Sequence, residues 1–426
     1  MAGENTVASM NGLFKTVYAS ALIDLVPDYA ILQKRIEFVS AEKENGAYYA
    51  QPVVLAHEGG FTYNGEAGGV NPSLTTQRAG AMKEAQVYGS ELILRAQLSF
   101  MALSRASSQG AKAFKRATSF KVEDMNNAMR KRLEIAMLYG QSDLGVVEAV
   151  SDTGTSTADI TISAATWAGG IWAGSEGSVL DSITHTTPGT TNTVNNSTEL
   201  VITAVNSDTR VISVSCDDTV TGNITVGDGL VFRGSTITGG WTFNEMAGLK
   251  TIISNTGTLF NISAATYSLW KGTTISTLGQ ISFAKLQDAV GRASNKGLME
   301  KVLVLVSPKA WSVLNADQAA LRMFDSSFGS KKAENGVESL LFHGVTGPME
   351  IVSHPMCKDG DAFIIPPDSL MRVGSLDLSF GVPGFDEQFV RYVASTNAVE
   401  IMCLADQAIF VERPAHCVYL TGITYT

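Results

Sequence analysis

The stretch that most restricts the fold is "FTYNGEAGGVNPSLTTQRAGAM", residues 61–82. It joins "YYAQPVVLAH" to "KEAQVYGSELILRAQLSF", and both flanks read as strands. Four of its twenty-two residues are glycine, and neither flank is apolar enough to build a core with the other alone. A two-stranded ribbon standing by itself in water is marginal. The chain must therefore lay this arm against some other surface.

With 426 residues, 45% of them hydrophobic and 17% charged, the chain can hold two or three domains with cores of their own. A net charge of −10 argues against a general nucleic-acid binder, although the sum can hide an uneven distribution. Cys216, Cys357, Cys403 and Cys417 show no CxxC spacing and are too sparse for a disulfide framework, so they read as reduced and mostly buried. The amino-terminal "MAGENTVASMNGLFKTVY" carries Glu4 and no unbroken apolar stretch, so it is no secretory signal. No later run approaches the ~20 apolar residues that span a bilayer. The expectation is a protein made in a cytoplasm, with no membrane partner, in which the sequons at Asn223 and Asn261 are strand residues.

Charge divides the chain more sharply than any linker. Between positions 145 and 248 two basic residues, Arg210 and Arg233, stand against eleven acids, so this segment carries −9 of the −10. It is crowded with Thr, Ser, Asn and Gly, and "TELVITAV", "RVISVSC", "NITV" and "GLVFRG" read as short strands, with "GTLFNIS" just beyond. Residues 146–272 are expected to form an all-β insertion that folds by itself and, with its excess of acids, faces away from any polyanion.

The material on either side differs in kind. "ATSFKVEDMNNAMRKRLEIAMLYG" predicts an amphipathic helix over 119–139, with Thr118 or Ser119 as cap and Gly140 past its end. Glu123 and Asp124 lie in its first turn, and Val122, Met125, Met129, Leu133 and Ala136 share one face. "ISFAKLQDAVGRASNKG" predicts a second helix, capped by Ser282, with Ile281 stapled onto Leu286. It leads into the buried-strand run "KVLVLVS", after which Ser307 and Pro308 open a further helix. "MEIVSHPMCKDGDAFIIPP" reads as a hairpin turning at Lys358-Asp359-Gly360, and the C-terminal stretch as two or three strands broken at Pro414. The class is α+β.

Reactive constellations are scarce. Asp152-Thr153-Gly154 spells the tripeptide of aspartic proteases, but activating water takes paired carboxylates, and no second Asp-Thr-Gly or Asp-Ser-Gly exists in the chain. A solvated turn explains "AVSDTGTST", and an enzyme would rest on Asp152 alone. His354 and Cys357 are zinc-ligand types, yet a closed site needs four ligands, and His57, His185, His343 and His416 are scattered singly. "CDDTVTGNITVGDG" lacks the order of a calcium loop, and no Walker A loop, G-x-S-x-G elbow or Rossmann fingerprint appears. No catalytic residue, metal or cofactor is expected.

One charged feature remains. From position 105 to 132 eight basic residues, among them Arg116, Lys121, Arg130, Lys131 and Arg132, face only Glu123 and Asp124. A solvated helix face, the acidic loops of a partner, or nucleic acid would each account for it.

Taken in order, these elements resemble the major capsid proteins of tailed bacteriophages, with the HK97 type of fold. The resemblance divides the chain into an N-terminal arm (1–37), an extension loop (38–99), a peripheral domain with a spine helix (100–145 and 373–426), the β insertion (146–272) and an axial domain (273–372). "GPMEIVSHPMCKDGDAFIIPPDSLMRVG" is similar to the axial-domain phrase of that family. "GLKTIISNTGTLFNISAATYSLWKG" resembles the return from an insertion, and Pro414, Ala415, Leu420 and Gly422 match the family's closing phrase. The order of these phrases along the chain carries the likeness.

The resemblance implies a virion shell of pentamers and hexamers, assembled in a bacterial host cytoplasm and enclosing double-stranded DNA without sequence specificity. A separate scaffolding protein, a portal and a decoration protein are the partners it implies, and cleavage of the N-terminal arm is not expected. About fifteen residues a side at ~3.3 Å each would carry the arm roughly 50 Å, so it is expected to lie on neighbouring copies. Tyr63, Asn64, Glu66 and Arg78 are its candidate contacts, and Arg116, Lys121, Arg130, Lys131 and Arg132 the candidate assembly cluster. Some members of the family join copies by an isopeptide bond from a lysine near the loop tip. Two other readings stand beside this one: an encapsulin-type compartment, which shares the fold, and a β-rich adhesin, which would account for the Thr-rich insertion alone.

Overall fold

The computed structural model describes residues 30–40, 48–64, 73–99, 101, 111–154, 156–184, 199–215, 224–235, 243–276, 279–316, 339–344, 347–381, 391–393 and 398–425. After α1 (Ile31–Arg35) and β1 (Phe38–Ser40), the arm goes out as β2 (Tyr49–Ala56) and comes back as β3 (Ala81–Val87). Next come β4 (Ser90–Ser99) and the long helix α2 (Ala111–Tyr139). The acidic segment supplies β5 (Gly145–Gly154), β6 (Thr157–Ile162), α3 (Gly169–Trp172), β7 (Val179–Ile183), β8 (Leu200–Asn206), β9 (Val211–Ser215) and β10 (Gly229–Phe232). The return runs through α4 (Leu249–Ile253), the small hairpin β11 (Thr258–Leu259) and β12 (Ile262–Ser263), and β13 (Thr273–Ile275). There follow α5 (Phe283–Ser294), β14 (Val302–Val306), α6 (Pro308–Ala316), β15 (Ser339–Gly344), β16 (Gly347–Ser353) and β17 (Asp361–Ile365). The chain closes with β18 (Leu370–Ser379), β19 (Arg391–Val393), β20 (Ala398–Val411) and β21 (Val418–Thr421).

Helix α2 begins at Ala111, so Thr118 and Ser119 lie inside it and cap nothing. Its apolar face is as the spacing requires: Met125, Met129 and Leu133 are buried. Toward the C-terminus Glu134, Ile135, Met137, Leu138 and Tyr139 are buried as well, so this half is enclosed on every side. The acidic segment closes into a barrel in the order β10-β5-β6-β9-β8-β7, all antiparallel, filled by residues such as Ile160, Ile162, Ile202, Ile212 and Leu230. Closure leaves these short strands without an open edge. Asp152 lies in β5 opposite Ala158, close to the β5–β6 turn.

The barrel is not seated apart from the rest of the chain. Its apolar cluster runs without a break into α2, the β20 sheet and one face of the β14 sheet. The amide of Gly170 donates to Pro355 O at 3.1 Å, and those of Asp359 and Gly360 donate to Trp167 O and Ala165 O at 2.9 and 2.7 Å. An insertion expected to fold by itself is thus keyed into the loop that follows β16.

A six-stranded sheet, β13-β21-β17-β14-β16-β15, holds the fully buried β14 at its centre. Ser282 Oγ caps α5 by accepting from the Lys285 amide at 3.4 Å, and Ser307 Oγ accepts from the Ala310 amide at 3.2 Å at the start of α6. Ile281 and Leu286 share the core that α5 and α6 form on this sheet. The hairpin expected across Lys358-Asp359-Gly360 is not one. Strand β14 lies between β16, to which it is parallel, and β17, to which it is antiparallel. A more apolar strand inserts because both faces of this position are covered.

The other sheet has the order β1-β18-β20-β19, with β4 along the remaining edge of β20. The flank "KEAQVYGSELILRAQLSF" therefore divides at Tyr88-Gly89. Its first half pairs with β2 in the arm, and its second half leaves the arm to pair with β20 over ten residues, Ser90 to Ser99.

Candidate assembly surfaces

The arm ladder runs from Tyr49 opposite Val87 to Ala56 opposite Ala81, and a bridge between Gly59 and Arg78 prolongs it. Strand β2 spans about 26 Å at ~3.3 Å per residue, shorter than fifteen paired residues a side would give. Tyr49, Val53 and Leu55 face the body, whereas Val54 and Met82, which are register partners, are 56% and 70% exposed. Beyond the ladder Phe61, Tyr63 and Leu74 are 76%, 92% and 82% exposed. They are held together, because Thr62 Oγ1 accepts from the Thr75 amide at 2.9 Å and the Gly59 amide donates to Arg78 O at 2.8 Å. Of the expected contact residues, Tyr63, Asn64 and Arg78 are exposed here, and Glu66 lies outside the described residues.

The base of the arm is braced by a turn that the sequence did not single out. Phe260 and Asn261, between β11 and β12, have φ of 51° and 64°, which is uncommon for an aromatic residue. Asn261 is thus a turn residue, not a strand residue. Phe260 O accepts from the Gln86 amide at 3.1 Å, and its ring meets Phe410 edge-on at 5.6 Å, where Tyr49 also packs at 6.2 Å. Lys83 Nζ sits 5.9 Å from the Tyr267 ring centre.

The basic run on α2 is not a single solvated face. Lys121 pairs with Asp124 at 2.8 Å in the open, and the Arg130 carbonyl accepts from Gln33 Nε2 at 2.6 Å. Lys131 Nζ donates to Ala173 O, and to Ser175 Oγ at 3.2 Å. Burial, with Arg132 beside it, lowers its pKa to about 8. Arg132 lies over the Phe232 ring at 3.2 Å, and burial lowers it to about 10. Two of the five candidate assembly cations, Lys131 and Arg132, thus hold the chain's own barrel to its helix. The Arg116 side chain lies outside what is described.

Behind these surfaces lies a buried polar junction. Asp143 accepts from Lys358 Nζ at 2.9 Å and Lys250 Nζ at 3.0 Å, joining the end of α2 to α4 and to the β16–β17 loop. Burial outweighs Asp143 at Lys358 and holds its ammonium below the ordinary value. At Lys250 burial acts the same way, but Asp143 and Asp361 outweigh it and the ammonium lies above its ordinary value. Glu134 accepts from the Leu32 and Gln33 amides at 2.5 and 3.1 Å and faces His354 Nε2 at 3.0 Å. His354 Nδ1 accepts from the Met356 amide at 3.2 Å, so its proton is on Nε2 and is given to Glu134. Both ring nitrogens are engaged, and the Cys357 thiol, pushed up by burial, donates to Asp361 O at 3.3 Å. The Glu134–His354 pair ties α1 and α2 to the loop that follows β16. The one hint in the sequence is an acid within "LEIAMLY", a stretch apolar all round the helix, where any charge must be paired.

No protein-family model matches the sequence, and a search of curated proteins finds no match. Solved structures do match. A chain of the cyanophage A-1(L) capsid superposes with a TM-score of 0.56 at 10% identity, covering 99% of this chain and 100% of that one. A chain from the capsid of a native GTA particle superposes with a TM-score of 0.50 at 9% identity, again over 99% and 100%. Across nearly all of its length this chain has a fold similar to that of those capsid chains.

Proposed function

We propose that the chain is a major capsid protein, a structural subunit and not an enzyme, which assembles into the head shell of a tailed bacteriophage. One observation carries this reading. A chain with a capsid fold holds out a braced ribbon whose Val54, Phe61, Tyr63, Leu74 and Met82 are all more than half exposed. Exposed apolar groups in such density mark an interaction surface. The finer parts of the reading are an HK97-type fold, divided into an arm (1–37), an extension loop (38–99), a peripheral domain (100–145 and 373–426), an insertion (146–272) and an axial domain (273–372). Pentamers and hexamers, a separate scaffolding protein, a portal, a decoration protein, double-stranded DNA as content and assembly in the host cytoplasm belong to it as well. Tyr63, Asn64, Glu66 and Arg78 would then meet neighbouring copies.

Electron microscopy of the purified full chain, expressed with the neighbouring structural genes, tests the reading. Closed shells of uniform diameter are expected, and nuclease-protected double-stranded DNA in particles from infected cells. Monodisperse monomers under all conditions would overturn it, and shells filled with protein cargo would favour an encapsulin-type compartment.

A further inference from the structure

Lys358 Nζ is clamped against Asp143. It donates to the carboxylate at 2.9 Å and to the backbone carbonyl of the same residue at 2.7 Å. Both side chains are buried, and the amine lies 4.4 Å from the centre of the Tyr139 ring, which meets Phe363 edge-on, with Tyr419 stacked on Phe363 at 5.2 Å. A nucleophile and a carboxyl carbon are thus held side by side behind aromatic walls, where fixed orientation replaces most of the entropy that an encounter would cost. The junction also holds more charge than one ion pair needs. Lys250 Nζ reaches the other carboxylate oxygen, Asp143 Oδ1, at 3.0 Å, and Asp361, buried at the start of β17, bears on both lysines. Keeping two amines and two carboxyls together in the interior is costly.

Each group suits one part of amide formation. Burial, with the Lys250 charge beside it, holds the Lys358 ammonium below its ordinary value and so favours the free amine, which is the nucleophilic form. Lys250 Nζ is placed to stabilise the negative charge that gathers on Asp143 Oδ1 when the carboxyl carbon becomes tetrahedral. Burial pushes the Asp361 carboxyl up, which makes it a source of one proton. We propose that Lys358 and Asp143 of one chain condense into an amide. Nζ bonds to Asp143 Cγ, the Cγ–Oδ2 bond breaks, and Oδ2 leaves as water with one proton from Nζ and one from Asp361. The step consumes no oxidant or further reactant. Lys250 and Asp361 remain as a single, mutually neutralising pair. The bond joins no copies; it lies within one chain, spans 215 residues and encloses the whole barrel in a covalent loop. A link of that span restricts the unfolded chain and bolts the end of α2 to the β16–β17 loop.

The test is the mass of the full chain, purified, denatured in guanidinium and measured intact by mass spectrometry. A chain lighter than its sequence by one water is expected. Proteolysis should then yield a joined pair of peptides, one holding Asp143 and the other Lys358, that hydroxylamine does not part. Asp143→Asn should close with loss of one ammonia instead, and Lys358→Arg, whose guanidinium stays protonated, should keep its full mass. Asp361→Asn should leave a mixture of open and closed chains. A wild-type chain at its full sequence mass, or one lighter by a water but without the joined peptides, would overturn the inference, whichever variants fold. The measurement does not depend on particles, so that failure leaves the shell reading intact, and a closed chain that forms no shells would overturn the shell reading alone.

Discussion

Arg132 and Glu245 line one cleft, and burial has moved each away from its ordinary titration. The guanidinium on Phe232 and the neighbouring Lys131 ammonium on Ala173 hold the barrel to α2. Reversing either charge would leave a carboxylate where a desolvated cation belongs. Lys131→Glu or Arg132→Glu should therefore lower unfolding free energy by about 2–4 kcal/mol, read from urea midpoints. Lys121→Gln, which breaks an exposed pair, should stay within ~0.5 kcal/mol of wild type. Glu245 supplies a pH signature. Burial raises its carboxyl from 4.5 to about 7, so the folded state holds the proton more tightly than the unfolded state. Its contribution is most favourable below pH 4.5 and is lost as pH rises through 7. The total change is on the order of 3 kcal/mol at 1.36 kcal/mol per pKa unit. Glu245→Gln should match wild type near pH 4.5 and exceed it at pH 8; equal stabilities at both pH values would refute this.

At the scale of elements, the crossing of the chain into and out of the barrel shows which glycines matter. Gly140 ends α2, and the Gly248 amide donates to its carbonyl at 2.9 Å where the outgoing and returning chains cross. A Cβ at Gly140 would collide with the Met246 carbonyl, and one at Gly248 with the Gly140 amide. Gly140→Ala should cost more than about 2 kcal/mol, visible as a lower melting temperature. Gly227→Ala meets no neighbour, and its cost would come only from a φ of 97°. Periodicity read these elements well when their partners were close in sequence. The α5 cap at Ser282, the Ser307-Pro308 start of α6 and the barrel strands β8, β9 and β10 stand where their patterns place them. It failed where a distant strand decided pairing. Nothing within "MEIVSHPMCKDGDAFIIPP" says that β14, some fifty residues earlier, will enter between its two strands.

For the whole molecule, the absence of lysine from 56 to 82 bears on how copies would be held together in the proposed shell. An isopeptide donor must be a neutral, positioned amine, and Arg78 cannot serve because a guanidinium stays protonated. Lys83, the nearest lysine, lies against Tyr267 at the base of the arm. Particles boiled in detergent should therefore run as a single band at 45.2 kDa; a ladder of covalent oligomers, with a Lys43 or Lys83 peptide joined to an asparagine peptide, would contradict this. The sequence by itself determined the elements, the charge division and the need for an outside surface for the arm, because these follow from local periodicity and from counting apolar groups. Only the tertiary structure decided that the acidic strands close into a barrel keyed to the β16–β17 loop, that β4 leaves the arm for β20, and that Lys131 and Arg132 are spent within the chain. Those outcomes depend on contacts between residues far apart in the chain. A side chain's role there is set by what the fold brings against it, and a basic residue reads the same in sequence whether it meets solvent, a neighbour or a buried phenylalanine ring.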